Sequence, residues 1–184
     1  DSGKRLIENI DKVHNADFSV IVYNFLDILS HARTETQIIR DLAEDEAAFR
    51  SLTRSWFEHS DLLELMRLLA ERGHTIIITS DHGTIQVDNP VRVQGDRATS
   101  SNLRYKTGRN LGFNQKEVFA ITKPELAHLP KSNITSTYIF AYNRDFFVYP
   151  NNTNQFVRYY NNTFQHGGIS MEEMIVPFLV LKPR

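Results

Sequence analysis

The strongest constraint on the fold is a pair of short runs that stay apolar at consecutive positions, Phe18-Ser-Val-Ile-Val-Tyr-Asn-Phe25 and Thr75-Ile-Ile-Ile-Thr79. A strand with one wet face alternates apolar and polar residues. These runs barely alternate, so they predict strands buried on both faces, as in a parallel sheet covered by helices. Parallel neighbours need a crossover connection, and the residues between the two runs supply one.

Residues 35–58 carry Ile38, Ile39, Leu42, Phe49, Leu52, Trp56 and Phe57 at roughly helical spacing. Ser60 and Asp61 then cap a helix over Leu62–Glu71, with Leu63, Met66, Leu69 and Ala70 inward and Gly73 as its stop. The first 17 residues read as one amphipathic helix on Leu6, Ile7, Ile10 and Val13, and the acidic run Glu44-Asp45-Glu46 as a solvated helix face. From Gly83 to Gly112 the chain turns polar, which predicts a lid or insertion with short strands. Shorter strands follow at Val118–Ile121, Thr137–Tyr142 and Phe146–Tyr149, the last two joined as a hairpin by Asn143-Arg144-Asp145. Ser170–Met174 is a brief helical turn, and Ile175–Leu181 a closing strand despite Pro177. The expectation is an α/β fold, with a mixed, mainly parallel sheet flanked by helices, in one domain over residues 1–184 with 83–112 as its lid.

Charge and composition narrow the function. A net charge of -1 and a pI near 6.7 predict no broad attraction to nucleic acid or anionic membrane, so an anionic ligand must be met locally. The chain has no cysteine, which excludes disulfides and thiolate metal sites. No signal peptide or membrane-spanning run is visible, so a cytoplasmic protein is expected, and the Asn-x-Thr sequences at Asn133, Asn151 and Asn161 read as loop composition.

Three pieces carry the chemistry: Asp27-Ile-Leu-Ser-His31, Thr79-Ser-Asp81-His82-Gly83 and His166-Gly-Gly168. Each puts carboxylate or imidazole groups at the end of a strand-like run, where open α/β sheets gather their sites. Asp27 and His31 stand at i and i+4, one face of a helix that begins where the first run ends. Asp81 and His82 are adjacent, and a strand-to-loop turn is needed to aim both at one point. Two glycines after His166 let backbone approach a bound group. Alone, Asp27 reads as a helix cap and Asp81-His82-Gly83 as a strand-ending turn; the joint occurrence is what points to a metal site. Carboxylate oxygen and imidazole nitrogen suit Zn²⁺ or Mn²⁺. His14, His59, His74 and His128 have no such company and read as surface or turn residues. The basic residues Arg104, Lys106 and Arg109 are candidate phosphate clamps.

The order Asp-x-x-x-His, Asp-His-Gly after an apolar strand, and a late His-Gly-Gly resembles the metal-binding set of the alkaline phosphatase superfamily. The ending His166-Gly-Gly-Ile-Ser-Met-Glu-Glu-Met-Ile-Val-Pro177 resembles the PglZ domain, and the whole chain is similar to the C-terminal effector region of PorX-type response regulators. The resemblance implies that Asp27, His31 and His166 bind one zinc and that Asp81 and His82 bind a second. It implies a two-metal phosphodiesterase or phosphatase acting on a nucleotide or oligonucleotide ester, with a receiver domain in the parent chain and a homodimer as further partners and no membrane partner. The superfamily's Thr or Ser nucleophile and a further Asp come from a segment with no counterpart here. Ser2 is a poor substitute, and the start Asp1-Ser2-Gly3 looks cut from a longer protein. The expectation is therefore a partial domain that is inactive by itself. The competing expectation is a non-catalytic interaction module of a transcription or secretion regulator.

Overall fold

The computed structural model describes residues 2–43, 45–95, 99–131 and 133–183. Glu44 of the acidic run, Asp96 in the lid-like stretch and the side chain of Ser2 lie outside the described residues. In chain order the elements are α1 (Ser2–Glu8), α2 (Ile10–His14), α3 (Phe25–Glu35), α4 (Gln37–Leu42), α5 (Glu46–Glu58), α6 (Asp61–Glu71), β1 (Ile76–Thr79), β2 (Ile85–Val87), β3 (Asn89–Arg92), β4 (Tyr105–Arg109), β5 (Val118–Ile121), β6 (Ser136–Ala141), β7 (Asp145–Val148), α7 (Thr153–Tyr160), β8 (Thr163–Gln165), α8 (Met171–Met174) and β9 (Phe178–Leu181). They fall into two compact units, one of Asp1–Ser80 with Pro177–Arg184 and one of Asp81–Val176.

In the first unit the N-terminal helix is broken in two. Asn9 leaves helical geometry at φ -109° and ψ 23°, and its Nδ2 donates to Arg5 O at 2.8 Å, closing α1 before α2 begins. Both pieces still lay Leu6, Ile7, Ile10 and Val13 against Leu65, Leu69 and Ile76, the unit's core cluster. α5 is capped by Asp45, whose Oδ1 accepts from Ala48 N at 2.7 Å. Ser60 occupies the N-cap position of α6, but its Oγ donates backward to Phe57 O, so the cap expected of its side chain is not made. α6 ends as the sequence predicts. Gly73 sits at φ +84°, its N–H donates to Ala70 O, and the N–H of His74 reaches Leu69 O, both at 3.0 Å, which is a Schellman closure.

The α/β class holds, with small sheets, but the pairing is not mainly parallel: among the described strands only β3 and β7 run parallel. Residues 18–24 make no strand, and Phe18, Val20 and Val22 are 81%, 72% and 76% exposed. β1 does form, but its partner is β9, antiparallel, with Ile76 opposite Leu181 and Thr79 opposite Phe178. The double-sided burial expected of β1 fails with it, since Ile77 is half exposed. The runs encode strand propensity; propensity does not choose a partner, and a ladder needs one.

The second unit is all short pairings. β2 pairs with β8 and β4-β6-β5 form a three-stranded sheet, all antiparallel; β3 and β7 are the parallel pair among the described strands. The hairpin expected at Asn143-Arg144-Asp145 is a tight turn, closed by Asp145 N donating to Tyr142 O at 2.9 Å, yet its flanking strands join different sheets. That switch lets adjacent residues of β7 feed two cores. Phe146 packs with Ile85, Val87, Leu103 and Val148, and Phe147 with Val91, Val93, Val118, Ile139 and Ala141. Residues 83–112, expected as a lid, supply β2, β3, β4 and the fully buried Val87 and Val93. The stretch reads as polar because its apolar residues are single and alternate, and they are the inward half.

Candidate metal centre

Asp27 and His31 lie on α3, as their spacing predicts. Phe25 stacks on Trp56 with centroids 4.1 Å apart and planes 5° apart, which seats the start of the helix in the first unit. Asp27 Oδ1 and His31 Nε2 are 3.5 Å apart on one exposed face. A carboxylate in the first turn is also favoured by the helix dipole.

Asp81, His82 and His166 belong to the second unit. The imidazoles of His82 and His166 are face to face, with centroids 3.9 Å apart and planes 9° apart, although 84 positions separate them in the chain. His82 Nδ1 lies 3.0 Å from Gly83 O. A carbonyl only accepts, so Nδ1 is the donor in this contact. The Nε2 of the same ring lies 3.8 Å from Asp81 Oδ1, close to the spacing of two ligand atoms on one ion. The donor set fits a divalent ion held by Asp81 and His82, the pair that the resemblance assigns to one ion.

The loop carrying His166 is held by a residue that motif reading passed over. Glu173 is buried, and its carboxylate accepts from Gly168 N at 2.9 Å, Ser170 N at 3.1 Å and Ser170 Oγ at 2.7 Å. Arg104 completes it, with Nε donating at 2.9 Å and Nη2 at 2.8 Å. Burial pushes the Glu173 carboxyl up, but the hydrogen bonds from Arg104 and Ser170 outweigh that and hold it below its ordinary range. Gly168 must be glycine here, because a Cβ would stand 2.6 Å from Glu173 Oε2. Asn102 holds the other side. Its Nδ2 donates to His166 O at 3.2 Å while its Oδ1 accepts from Arg104 N at 2.7 Å. The Ser170-x-x-Glu173 spacing is a capping box and is visible in the sequence; nothing in the sequence marks Asn102.

Two of the three expected phosphate clamps are therefore corrected. Arg104 is 0% exposed with its fork filled by Glu173, and its Nη1 donates to the carbonyls of Tyr142 and Asp145. Lys106 is 1% exposed; Nζ donates to Ser100 O at 2.9 Å and sits over the Tyr149 ring, and burial lowers its pKa to about 8. Both cations are inside the unit because alternate residues of β4 face inward. Arg109, at the end of β4, is exposed.

The sequence model of the family described as BREX system PglZ alkaline phosphatase-like domain matches residues 1–181. No curated protein matches the chain. Among the described residues no helix is long and apolar enough to cross a membrane.

Proposed function

The chain belongs to the PglZ family of alkaline phosphatase-like domains, and from that membership we propose a zinc-dependent phosphodiesterase or phosphatase that acts on a nucleotide or oligonucleotide ester. In this reading the domain is the effector of a PorX-type signalling regulator, coupled to a receiver domain, in the cytoplasm. The family supports phosphoesterase-like chemistry. The observation that supports the metal-site reading is the stack of His82 on His166, with the Nε2 of His82 3.8 Å from Asp81 Oδ1.

In this reading Asp27, His31 and His166 would serve one zinc and Asp81 and His82 a second, as the family resemblance implies. Zinc bound there would lower the pKa of an attacking hydroxyl or water and offset charge on the transferring phosphate. Glu173 and Asn102 position rather than react, by fixing the backbone that presents His166. Arg109 is the exposed cation left to meet a phosphate oxygen. None of these residues supplies the attacking hydroxyl or the further Asp that the resemblance calls for. The test is hydrolysis of bis-(p-nitrophenyl) phosphate with added zinc. Turnover that a chelator abolishes and His82→Ala removes supports the reading; turnover indifferent to both overturns it.

One observation favours the non-catalytic alternative. Phe18, Val20, Val22 and the whole of β9 are exposed in the first unit, and exposed apolar residues are what an interaction surface uses. An interaction module would keep its partner in His82→Ala, and a metal-dependent enzyme would lose its activity there.

A further inference from the structure

His14 and His74 read in the sequence as two unrelated surface residues, and the fold of the first unit makes them a pair. His14 Nδ1 and His74 Nε2 are 2.8 Å apart, with ring centroids at 5.0 Å and planes at 86°. Two features put them there. His14 closes α2, whose apolar face is seated on Leu65 and Leu69. His74 is the residue after Gly73, delivered by the Schellman closure of α6. A second link runs beside the first, since Arg72 Nη1 donates to Asp11 Oδ1 at 2.6 Å. The same two segments are thus joined by one ion pair and one imidazole pair.

We propose that His14 and His74 form a second metal site, one that binds a divalent transition ion of the Zn²⁺, Ni²⁺ and Cu²⁺ class and staples α2 to the start of β1. The chemistry is specific to that class. Imidazole nitrogen suits zinc, nickel and copper and does not hold magnesium or calcium. In the hydrogen-bonded pair one of the two facing nitrogens carries a proton. When an ion binds, that ring moves its proton to its far nitrogen, both facing lone pairs turn to the ion, and no net proton is released from two neutral rings. Nitrogens on one tetrahedral ion, at about 2.0–2.1 Å each, stand roughly 3.3 Å apart. The rings need to part by only about half an ångström, and the exposed face of His14 leaves room for water at the remaining positions. Asp11 is engaged by Arg72 and is not counted as a ligand. With two protein ligands the site should be exchangeable, with copper tighter than nickel or zinc.

The stapled segment leads directly into β1, which ends at Thr79, three residues before His82. Occupancy would therefore stiffen the start of β1. This does not depend on the phosphoesterase reading, and the experiment separates the two. Thermal unfolding is followed with Ni²⁺ and Cu²⁺ in the intact chain, in His14→Ala, in His74→Gln and in His82→Ala/His166→Ala. At a hundredfold excess over the dissociation constant, the midpoint should rise by roughly 5–10 °C. That rise should persist in His82→Ala/His166→Ala and vanish in either single variant. Copper bound to the His82→Ala/His166→Ala chain should show nitrogen hyperfine splitting from two imidazoles. Equal shifts in the intact chain and in both single variants would overturn the proposal, as would a shift that depends on His82 and His166 or a splitting from one imidazole only.

Discussion

Arg104 and Glu173 form a two-pronged ion pair with side chains 0% and 1% exposed, 69 positions apart in the chain. Arg104 directly precedes β4 and Glu173 sits in α8, so the pair ties the entry to the sheet to the loop that carries His166. Ser170, Gly168 and Asn102 close the same network, and few donors or acceptors in it are left unmet. A buried ion pair of this kind is costly to desolvate and gains its value by fixing one arrangement of the backbone.

Removing one partner should therefore be far worse than removing both. Glu173→Ala or Arg104→Ala leaves an uncompensated buried charge and should cost about 3–5 kcal/mol in urea unfolding. Arg104→Lys should recover little, because one ammonium cannot replace a fork. The combined Arg104→Met/Glu173→Leu chain should be more stable than either single alanine variant. Additive losses in the double variant would show that the two residues act separately.

Acid should release the same network. The folded-state pKa of Glu173 lies below its unfolded value, so the unfolded chain takes up protons first as pH falls. Its contribution is fully present above the ordinary carboxylate range near ~4.3 and is lost as pH drops through the lower folded value. Glu173→Gln should flatten the acid arm of the stability curve below about pH 4.5. An unchanged acid arm would remove Glu173 from the account of acid unfolding.

The sequence was most legible where local rules decide. Val118–Ile121 is a strand with the expected bounds, Gly73 ends its helix, and Asp27 and His31 share a helix face. It was least legible where partners decide. Phe18–Phe25 has the composition of a buried strand and finds no ladder, while Phe146 and Phe147 serve two cores only because their strand leaves the sheet of β6. The metal-type residues were visible as motifs, but what holds them was not. Arg104 looked like a phosphate ligand because charge is read from sequence and burial is not, and its partner lies 69 residues away.

Lys106 gives a pH dependence of the same sign at the alkaline end, because its folded-state pKa is also depressed. Its folded-state pKa of about 8 is below the unfolded value of 10.5, because burial disfavours the ammonium form. The charged form therefore costs stability at neutral pH, on the order of 3 kcal/mol, and the cost is relieved as pH rises. The intact chain should gain stability between about pH 8 and 10.5, and Lys106→Met should show no such gain. The carbonyl of Ser100 loses its donor in that variant, so its stability at pH 7 should rise by less than the full relief. A curve for Lys106→Met that still climbs through this window would mean that another group is titrating.

The last prediction tests whether the backbone beside His82 is as tightly fitted as the network around His166. Gly83 N donates to Glu173 O at 2.9 Å, and a Cβ on Gly83 would stand 2.0 Å from Glu172 O, a backbone atom of α8 that cannot rotate away. Alanine there has to push apart the segment that carries His82 and the helix that carries Glu173. Gly112 is the milder comparison, since a Cβ there stands 3.2 Å from Gln94 Cβ and needs a shift of only a few tenths of an ångström. Gly83→Ala should cost about 2 kcal/mol or more of stability and weaken zinc binding at least tenfold, because a ligand shifted by an ångström no longer meets the ion. Gly112→Ala should cost under about 1 kcal/mol and leave zinc affinity unchanged. If Gly83→Ala binds zinc like the intact chain, His82 is not a ligand whose position this backbone contact fixes.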